Sequence, residues 1–476
     1  MVFSSEIFLF IFLPLTFLLS RIVPGIRGKN AILTIMSLAF YGWGQPGYIL
    51  LLLLSVCVNF FGGLALMSRR LQGYKKAALA ACVALNLLEL VVFKYLNFLT
   101  ENLGLLIGSA SVVTHIALPA GISFFTFQGM SYAIDVYRNP GAGSRSFVKI
   151  LLYISLFPQL IAGPIIQYRD VADQIDNRQT QPALTAAGIR RFIQGLSKKL
   201  LVANTLGAVA DAVFALSPSL LDFKLSWLGA VCYTLQIYFD FSGYSDMAIG
   251  LGEMFGFHFA ENFRYPYCAA SITDFWRRWH ISLSSWFREY LYIPLGGNRR
   301  GRARTILNKF SVFLLCGFWH GASWNYVLWG LFHGLLISTE TWFAGLFKNR
   351  RGVPGIRLPG RVYTLLAVVL AFVLFRAETL ARAGLIYAGM LGLLDAGAAS
   401  GGVFFSLCSP LTVAAFVMGV LWSTRLFAAF AERLKKNRRF SGTVPALSAA
   451  GCGLLYVLCL LNLAASGYNP FIYYQF

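Results

Sequence analysis

The chain has 476 residues, of which 57% are hydrophobic and only 12% are charged, and its mean hydropathy is +0.65. A soluble domain is about one quarter charged, so this composition excludes an ordinary soluble protein. The formal net charge of +21 raises the question of nucleic-acid binding. Basic loops that orient membrane helices explain this charge better, because the basic clusters do not belong to a recognisable RNA- or DNA-binding module.

Apolar runs occur along the whole chain, and a membrane-crossing helix needs roughly 20 such residues. We predict an all-α polytopic membrane protein with roughly eleven transmembrane helices, in which the shorter runs extend into their neighbours or are partly re-entrant. The clearest runs are residues 7–19, 48–67, 77–98, 151–166, 228–256, 311–338, 362–375, 411–426 and 446–465.

The distribution of basic residues predicts the orientation of the chain. No basic residue precedes the first apolar run, and Arg21 and Arg27 follow it. The positive-inside rule therefore places this cluster in the cytosol and the N-terminus outside. A second basic cluster, residues 433–439, is followed by one apolar run, so the C-terminus is also predicted to be extracytoplasmic.

Two segments do not resemble simple membrane-spanning helices. Residues 183–199 contain four Arg or Lys side chains and are predicted to form an interfacial amphipathic helix. Residues 261–307 are aromatic and basic, with turn signals at Pro294 and Gly296. Irregular backbone at membrane depth is tolerated only where protein buries it or where it lines a cavity. We therefore predict re-entrant helices around a central tunnel.

Two of the five histidines lie in apolar, Trp-rich text. His320 lies in residues 313–325, FLLCGFWHGASWN, and His280 lies in residues 274–283, DFWRRWHISL. A buried imidazole is unfavourable unless it is hydrogen-bonded or functional, so the pair indicates acid–base chemistry within a bilayer. His333 is about 220° away from His320 on a continuous helix, which favours a structural role for it.

The cysteines and acids give weaker signals. The eight cysteines show no metal-ligand spacing, so no metal site is predicted. Cys316 shares a helix face with His320, but a Cys–His nucleophile is disfavoured because an apolar setting keeps a thiol protonated. Asp240 and Asp246 are six residues apart and point to different helix faces. This spacing argues against a paired-carboxylate site and favours structural hydrogen bonding.

Five segments together resemble a membrane-bound O-acyltransferase of the alginate O-acetyltransferase branch, and the resemblance extends along most of the chain. It implies one domain over residues 1–476, a helical core around a tunnel, His320 as the main catalytic residue and His280 as a second one. The segments are residues 118–127 (LPAGISFFTF), 157–164 (FPQLIAGP), 238–250 (YFDFSGYSDMAIG), 271–284 (SITDFWRRWHISLS) and 317–322 (GFWHGA).

The last six residues, FIYYQF at 471–476, resemble the C-terminal Phe-x-Tyr-Phe-x-Phe motif of related acyl-export systems. In those systems the motif's tyrosine relays the acyl group, and alignment assigns this role to Tyr473. Tyr474 stands where the motif has Phe, so the acceptor could be either tyrosine. The alternative is an aromatic residue of the membrane interface.

The resemblance implies an acetyltransferase of a bacterial inner or plasma membrane. It would take acetyl from cytosolic acetyl-CoA, hold no permanently bound cofactor, and deliver acetyl to a separate extracytoplasmic SGNH-type acetyltransferase that modifies a polysaccharide such as alginate or a cell-wall glycan. His320 would act as the base, and His280 would orient the donor or stabilise the oxyanion. Charge and proximity in sequence suggest contacts to the donor phosphates for Arg277, Arg278, Arg299 and Arg300.

Two other functions are less consistent with the sequence. A D-alanyl or other acyl exporter of the same family differs only in the group that it carries. A non-enzymatic transporter would need inverted repeats or a path lined by acids and arginines, and the sequence shows neither.

Overall fold

The computed structural model describes residues 1–108, 116–344, 357–395, 397, 399–436, 443–465 and 467–470. Every regular element within these ranges is a helix, and they contain no strand. The predicted all-α fold is therefore confirmed for this part of the chain. The predicted relay motif, residues 471–476, lies outside the described residues.

The chain forms two compact units, each built from two stretches of sequence. Unit 1 comprises Met1–Phe192 and Ser245–Glu261, and unit 2 comprises Ile193–Tyr244 and Asn262–Phe476. Helices α10 (Pro182–Ser197) and α12 (Phe223–Met254) contribute residues to both units. That the whole chain is one domain stays a prediction.

Unit 1 is stabilised by packed aromatic rings and by polar side chains that hydrogen-bond to one another between apolar helices. Asn59 and Asn86 exchange hydrogen bonds between their side-chain amides at 2.9 and 3.1 Å, so neither buried amide is left unsatisfied. Arg191 binds both Asp246, at 3.0 Å, and Glu261, at 2.5 Å. The remaining helices of this unit are α1 (Leu13–Ile22), α2 (Gly25–Gly42), α3 (Tyr48–Met67), α4 (Lys75–Leu90), α5 (Leu96–Ile107), α6 (Ile122–Arg138), α7 (Phe147–Ser155), α8 (Phe157–Leu160) and α9 (Tyr168–Asn177).

Unit 2 contains short helices between long ones, and its second stretch of sequence begins with an irregular segment. The stretch from Asn262 to Arg300, which lies within the predicted irregular region of residues 261–307, holds only brief helices and turns, whereas residues 301–307 already belong to the regular helix α15. The helices of this unit are α11 (Asn204–Ala215), α13 (Ile272–Trp276), α14 (Ile281–Phe287), α15 (Gly301–His320), α16 (Trp324–Ala344), α17 (Arg357–Arg376), α18 (Leu380–Met390), α19 (Ala399–Leu407), α20 (Pro410–Trp422), α21 (Leu426–Lys436) and α22 (Val444–Ala465).

Tighter or wider turns adjoin several of these helices. The π-helical turns are Phe8–Phe12, Val91–Tyr95, Lys198–Ala203 and Arg288–Tyr292, and the 3₁₀ turns are Arg69–Tyr74, Pro140–Ala142, Pro218–Leu220 and Pro266–Cys268.

Four helices of the described chain are long and apolar enough to cross a membrane, or five if the pair α19 and α20, bent by 65°, counts as one span. Large apolar side chains such as Leu50 and Phe61 lie exposed on the first of them, as expected for surfaces that face lipid. The multi-pass character is thus supported, whereas the predicted number of roughly eleven spans is not confirmed. The four spans are Tyr48–Met67, Arg69–Ile107, Leu358–Arg376 and Val444–Ala465.

Three apolar or amphipathic stretches differ from their predicted form. Residues 151–166 are broken at Leu156, where the backbone leaves the helical region just before Pro158. Residues 311–338 form two helices rather than one, because α15 ends at His320. The supposed interfacial helix of residues 183–199 continues through a π-helical turn, and its Lys199 is buried with Asp240 as an ion-pair partner at 2.6 Å.

Candidate active site

A helical hairpin of unit 2 presents His320. Helix α15 ends at His320, and after residues 321–323 the chain returns as α16. The two helices approach through Gly317 and Gly330, where a Cβ on either glycine would collide with the backbone of the other helix. Main-chain contact of this kind is typical of closely packed membrane helices. His320 is therefore held at the tip of a rigid hairpin.

Aromatic rings surround His320. Its imidazole is only 5% exposed. Trp319, Trp329 and Phe375 lie with ring centroids 5.0, 5.1 and 5.2 Å from it, each nearly perpendicular to the imidazole. Edge-to-face packing is the favoured geometry for such rings. The surroundings of His320 are thus apolar, and electrostatic interactions there are stronger than they would be in water.

His280 lies on a strained backbone in the irregular region. It is fully buried, and its φ of 44° and ψ of 56° place it in the left-handed region, immediately before α14. Non-glycine residues adopt this conformation rarely, and such strain persists only where the surrounding structure enforces it, often at functional sites. The strained backbone is thus an indication of function at His280 that does not depend on the residue being a histidine.

Asn262 fixes the tautomer of His280. The side-chain oxygen of Asn262 accepts a hydrogen bond from the backbone N–H of Ser282 at 3.2 Å. A backbone N–H only donates, so this atom of Asn262 is the amide oxygen, and it also lies 3.2 Å from His280 Nδ1. His280 must therefore carry its proton on Nδ1 to make that bond. The neutral ring then presents a lone pair on Nε2, which has no hydrogen-bond partner among the described residues.

Trp319 lies between the two histidines. Its ring centroid is 6.4 Å from that of His280 and 5.0 Å from that of His320. The centroids of the two imidazole rings can therefore be no farther apart than the sum of these two distances, although the histidines are forty residues apart in sequence. Phe241 also packs on His280, with its ring nearly perpendicular to the imidazole and the ring centroids 4.5 Å apart. The structure thus brings together the two histidines that the sequence predicted.

Polar contacts from α16 hold the segment that leads to His280. Glu340 accepts hydrogen bonds from the backbone N–H groups of Ile272 and Thr273, at 2.6 and 2.9 Å, and so caps the start of α13. Trp276 Nε1 donates to His333 Nδ1 at 3.3 Å. His333 is thereby a packing residue, in keeping with its predicted structural role. The assumption of one continuous helix between His320 and His333 was wrong.

A cavity of about 320 Å³ lies one helix turn from His320, where Cys316 forms part of its wall. Ligand pockets span roughly 300–1,000 Å³, so the cavity is large enough for part of a cofactor-sized molecule. Its apolar lining residues include Trp276 and Phe313. Asn298, from the predicted cytosolic basic loop, also lines it. The residues that line the cavity include Trp276, Arg277, Arg288, Asn298, Lys309 and Cys316.

The cavity wall carries three cationic side chains, of which sequence reasoning identified one. Arg277, one of the four arginines for which donor-phosphate contacts were predicted, lines the cavity together with Arg288 and Lys309. Burial lowers the pKa of the Lys309 ammonium, and the nearby charge of Arg277 lowers it further, while Glu340 opposes the shift. Lys309 precedes the apolar run that begins at residue 311. Crowded cations of this kind favour an anionic ligand.

The other predicted arginines do not line this cavity. Arg278 binds Asp274 at 3.0 Å, one helix turn earlier. Arg299 and Arg300 are exposed in the turn before α15. Arg288 and Lys309 were missed because their approach to Arg277 depends on the fold. Among the described residues, no cluster of three or more His, Cys, Asp or Glu side chains could hold a metal ion.

Two buried imidazoles lie in ring contact with Trp319, and a cavity with cationic walls is lined in part by Cys316, one helix turn before His320. The model of MBOAT, the membrane-bound O-acyltransferase family, matches residues 141–381. The chain is 39% identical over 497 residues to the probable alginate O-acetylase AlgI of Pseudomonas putida, with all of both chains covered. The chain belongs to the membrane-bound O-acyltransferase family, as its sequence motifs predicted, and is an O-acyltransferase.

Two further relatives are named for the transfer of different acyl groups, acetyl and D-alanyl. The peptidoglycan O-acetyltransferase of Helicobacter pylori is 36% identical over 426 residues, which cover 83% of this chain and 80% of the relative. The teichoic acid D-alanyltransferase of Bacillus subtilis is 28% identical over 265 residues, covering 53% of this chain and 65% of the relative. Similarity is thus higher, and coverage greater, for the two relatives named for O-acetylation.

Proposed function

We propose that this protein takes acetyl from cytosolic acetyl-CoA and moves it across a bacterial inner or plasma membrane for O-acetylation of an extracytoplasmic polysaccharide. The observation that carries the proposal is the placement of His280 and His320 around Trp319, one helix turn from a cavity with cationic walls. The relatives named for alginate and peptidoglycan O-acetylation support acetyl as the group and a glycan as the final acceptor.

The cavity is our proposed entrance for the donor. Arg277, Arg288 and Lys309 would bind the phosphates of coenzyme A, because guanidinium and ammonium groups form strong hydrogen bonds to phosphate oxygens. The apolar wall with Trp276 would take the uncharged arm of the donor, which ends in the thioester. Cys316, which lines the cavity, lies one helix turn before His320 on α15, so the thioester would be delivered toward the histidines.

His320 is the proposed base. In the reaction the phenol oxygen of Tyr473 attacks the thioester carbonyl carbon while His320 takes the phenol proton. The C–S bond then breaks, and the coenzyme A thiolate leaves with that proton as a thiol. A tyrosine hydroxyl has an ordinary pKa near ~10 and is a poor nucleophile at neutral pH, so the reaction needs a base in contact with it.

His280 is assigned to positioning the donor. Its Nδ1–H is committed to Asn262, which leaves an acceptor at Nε2. An acceptor suits an amide N–H of the donor arm. It does not suit an oxyanion, which would require a second proton on the ring. Of the two roles considered from the sequence, the geometry favours orientation of the donor.

The acetyl group would leave through Tyr473 to a separate partner. The chain shows no Ser-His-Asp hydrolase domain in its sequence, so a distinct extracytoplasmic SGNH-type acetyltransferase is proposed for the final transfer to glycan. A D-alanyl exporter is the competing function. The similarity to the D-alanyltransferase supports it less strongly, because that similarity is lower and covers half of the chain.

Purified full-length protein offered acetyl-radiolabelled acetyl-CoA tests the proposal. We expect a covalent label on the C-terminal peptide, absent from Tyr473→Phe and retained in the matched variant Tyr474→Phe, since the relay motif normally has Phe at that position. Wild-type glycan acetylation by Tyr473→Phe would exclude the relay. Labelling from a D-alanyl carrier protein, with none from acetyl-CoA, would favour the competing function.

A further inference from the structure

Side chains of unit 2 hold the residues just before the predicted relay motif. Tyr468 donates its hydroxyl proton to Asp211 Oδ2 at 2.5 Å. Asn204 Nδ2 donates to the backbone carbonyl of Tyr468 and to the side-chain oxygen of Asn469, each at 3.2 Å. Lys199 Nζ donates to the carbonyl oxygen of Pro470. Three consecutive residues of the tail are therefore tied to α11 and to the π-helical turn before it.

The groups that hold the tail also belong to ion pairs. Arg376 binds Asp211 Oδ1 at 2.5 Å, so the two oxygens of this carboxylate serve Arg376 and Tyr468 separately. Lys199 binds Asp240 at 2.6 Å, and both side chains are almost fully buried. A buried ion pair is favourable only when its remaining protons and lone pairs are also satisfied. The tail helps to satisfy both pairs.

The same groups connect directly to the surroundings of His320. Arg376 follows Phe375, whose ring packs on His320 at 5.2 Å. Asn325, at the start of α16, donates a hydrogen bond to the carbonyl oxygen of Ala377 at 2.5 Å. The end of α17 is thus fastened to the hairpin that carries His320, and through Arg376 to the carboxylate that binds the tail.

We propose that these side chains form a tail clamp that positions the relay tyrosine for acetylation, an inference that rests on the proposed relay function. Tyr473 is three residues beyond Pro470, and three extended residues span at most about 11 Å. Anchoring Pro470 limits the volume that the Tyr473 hydroxyl can occupy and so raises its effective concentration at His320. The members of the tail clamp are Lys199, Asn204, Asp211 and Arg376.

Removing one oxygen tests the clamp. Tyr468→Phe deletes the bond to Asp211 and leaves the pair between Asp211 and Arg376 in place. In purified full-length protein with acetyl-CoA, we expect acetylation of the C-terminal peptide, followed by mass spectrometry, to slow by about tenfold or more, since bonds to charged groups are the stronger ones. The KM for acetyl-CoA should not change. Tyr456→Phe on α22 is the matched control and should acetylate at the wild-type rate.

A spacing experiment separates positioning from a merely structural contribution. Two glycines inserted between Pro470 and Phe471 lengthen the reach while the clamp residues stay intact. If the clamp sets the reach, this insertion slows tail acetylation strongly in the wild-type background. It should add little in the Tyr468→Phe background, where the tail is already loosened. Independent, multiplicative losses would overturn the positioning role.

The remaining outcomes are distinct for the clamp and for the relay. A Tyr468→Phe tail acetylated at the wild-type rate would overturn the clamp and leave the relay standing. A wild-type tail that is never acetylated would overturn both. A slowed Tyr468→Phe tail combined with non-additive loss on insertion would establish the clamp.

Discussion

The two buried histidines of unit 2 are held in different ways. His280 lies on a strained, irregular backbone, and its ring is oriented by a hydrogen bond to Asn262 at 3.2 Å. His320 lies at the end of a regular helix, and three aromatic rings pack around it. A ring with a fixed tautomer suits recognition, because its donor and acceptor sides are set in advance. The ring of His320, packed by aromatic side chains at the end of a helix, is the one that we propose for proton transfer.

His320→Ala should give the largest loss. Removing a general base typically lowers the rate by about 10²–10⁴-fold. The measurement is acetyl transfer from radiolabelled acetyl-CoA by membranes that contain equal amounts of folded protein. His258→Ala, at an exposed position in unit 1, is the control and should retain activity. Near wild-type glycan acetylation by membranes with His320→Ala would show that His320 is not the general base.

His280→Ala should lose less, about 10²-fold, as expected when a reacting group is misplaced. Because His280 is proposed to orient the donor, the loss should appear partly as a raised KM for acetyl-CoA. The double variant His280→Ala with His320→Ala decides whether the residues act separately. A double variant no worse than His320→Ala alone would show that the two histidines work as one unit.

Asn262→Ala sharpens the comparison, since it leaves both histidines in place and removes the bond that selects the tautomer of His280. We expect about a tenfold loss of transfer, the scale of one neutral hydrogen bond. Ser282→Ala, which removes the hydroxyl that also binds Asn262, should have a smaller effect. Steady-state rates for both variants give the test, and an unchanged rate in Asn262→Ala would show that orientation by Asn262 is dispensable.

Arg277→Ala should give the smallest effect on chemistry and a clear effect on binding. We expect the KM for acetyl-CoA to rise about tenfold with kcat unchanged, because the lost contact is equal in ground and transition states. Arg278→Ala provides a matched control, since that guanidinium is occupied by Asp274. A larger KM change in Arg278→Ala than in Arg277→Ala would place the donor elsewhere.

The family and the enzyme class were predictable from the sequence, because several motifs occur in the right order along the chain. The membrane setting followed from apolar composition alone. His320 and His280 could be named as partners only through the resemblance, since nothing in a spacing of forty residues brings two side chains together. Their catalytic roles, like that of Tyr473, stay predictions.

Other features depended on three-dimensional contacts that periodicity does not encode. The turn after His320 was missed because residues 321–323 lie within an uninterrupted apolar run, where composition does not distinguish one helix from two. Lys199 was assigned to an interface because its partner, Asp240, lies about forty residues away. Asn262 gave no signal, since an asparagine in an irregular segment looks like an ordinary turn residue until its oxygen is found against His280.

The glycine contact between α15 and α16 has a consequence for engineering the acyl group that the enzyme accepts. The helix separation at Gly317 and Gly330 is set by main chain against main chain, so it does not depend on the size of neighbouring side chains. Resizing the cavity walls on these same helices, for example at Val312, Phe313 or Ile337, should therefore alter which acyl donors bind without displacing His320. The main-chain contact should therefore keep the two helices in place when side chains that line the donor cavity are exchanged.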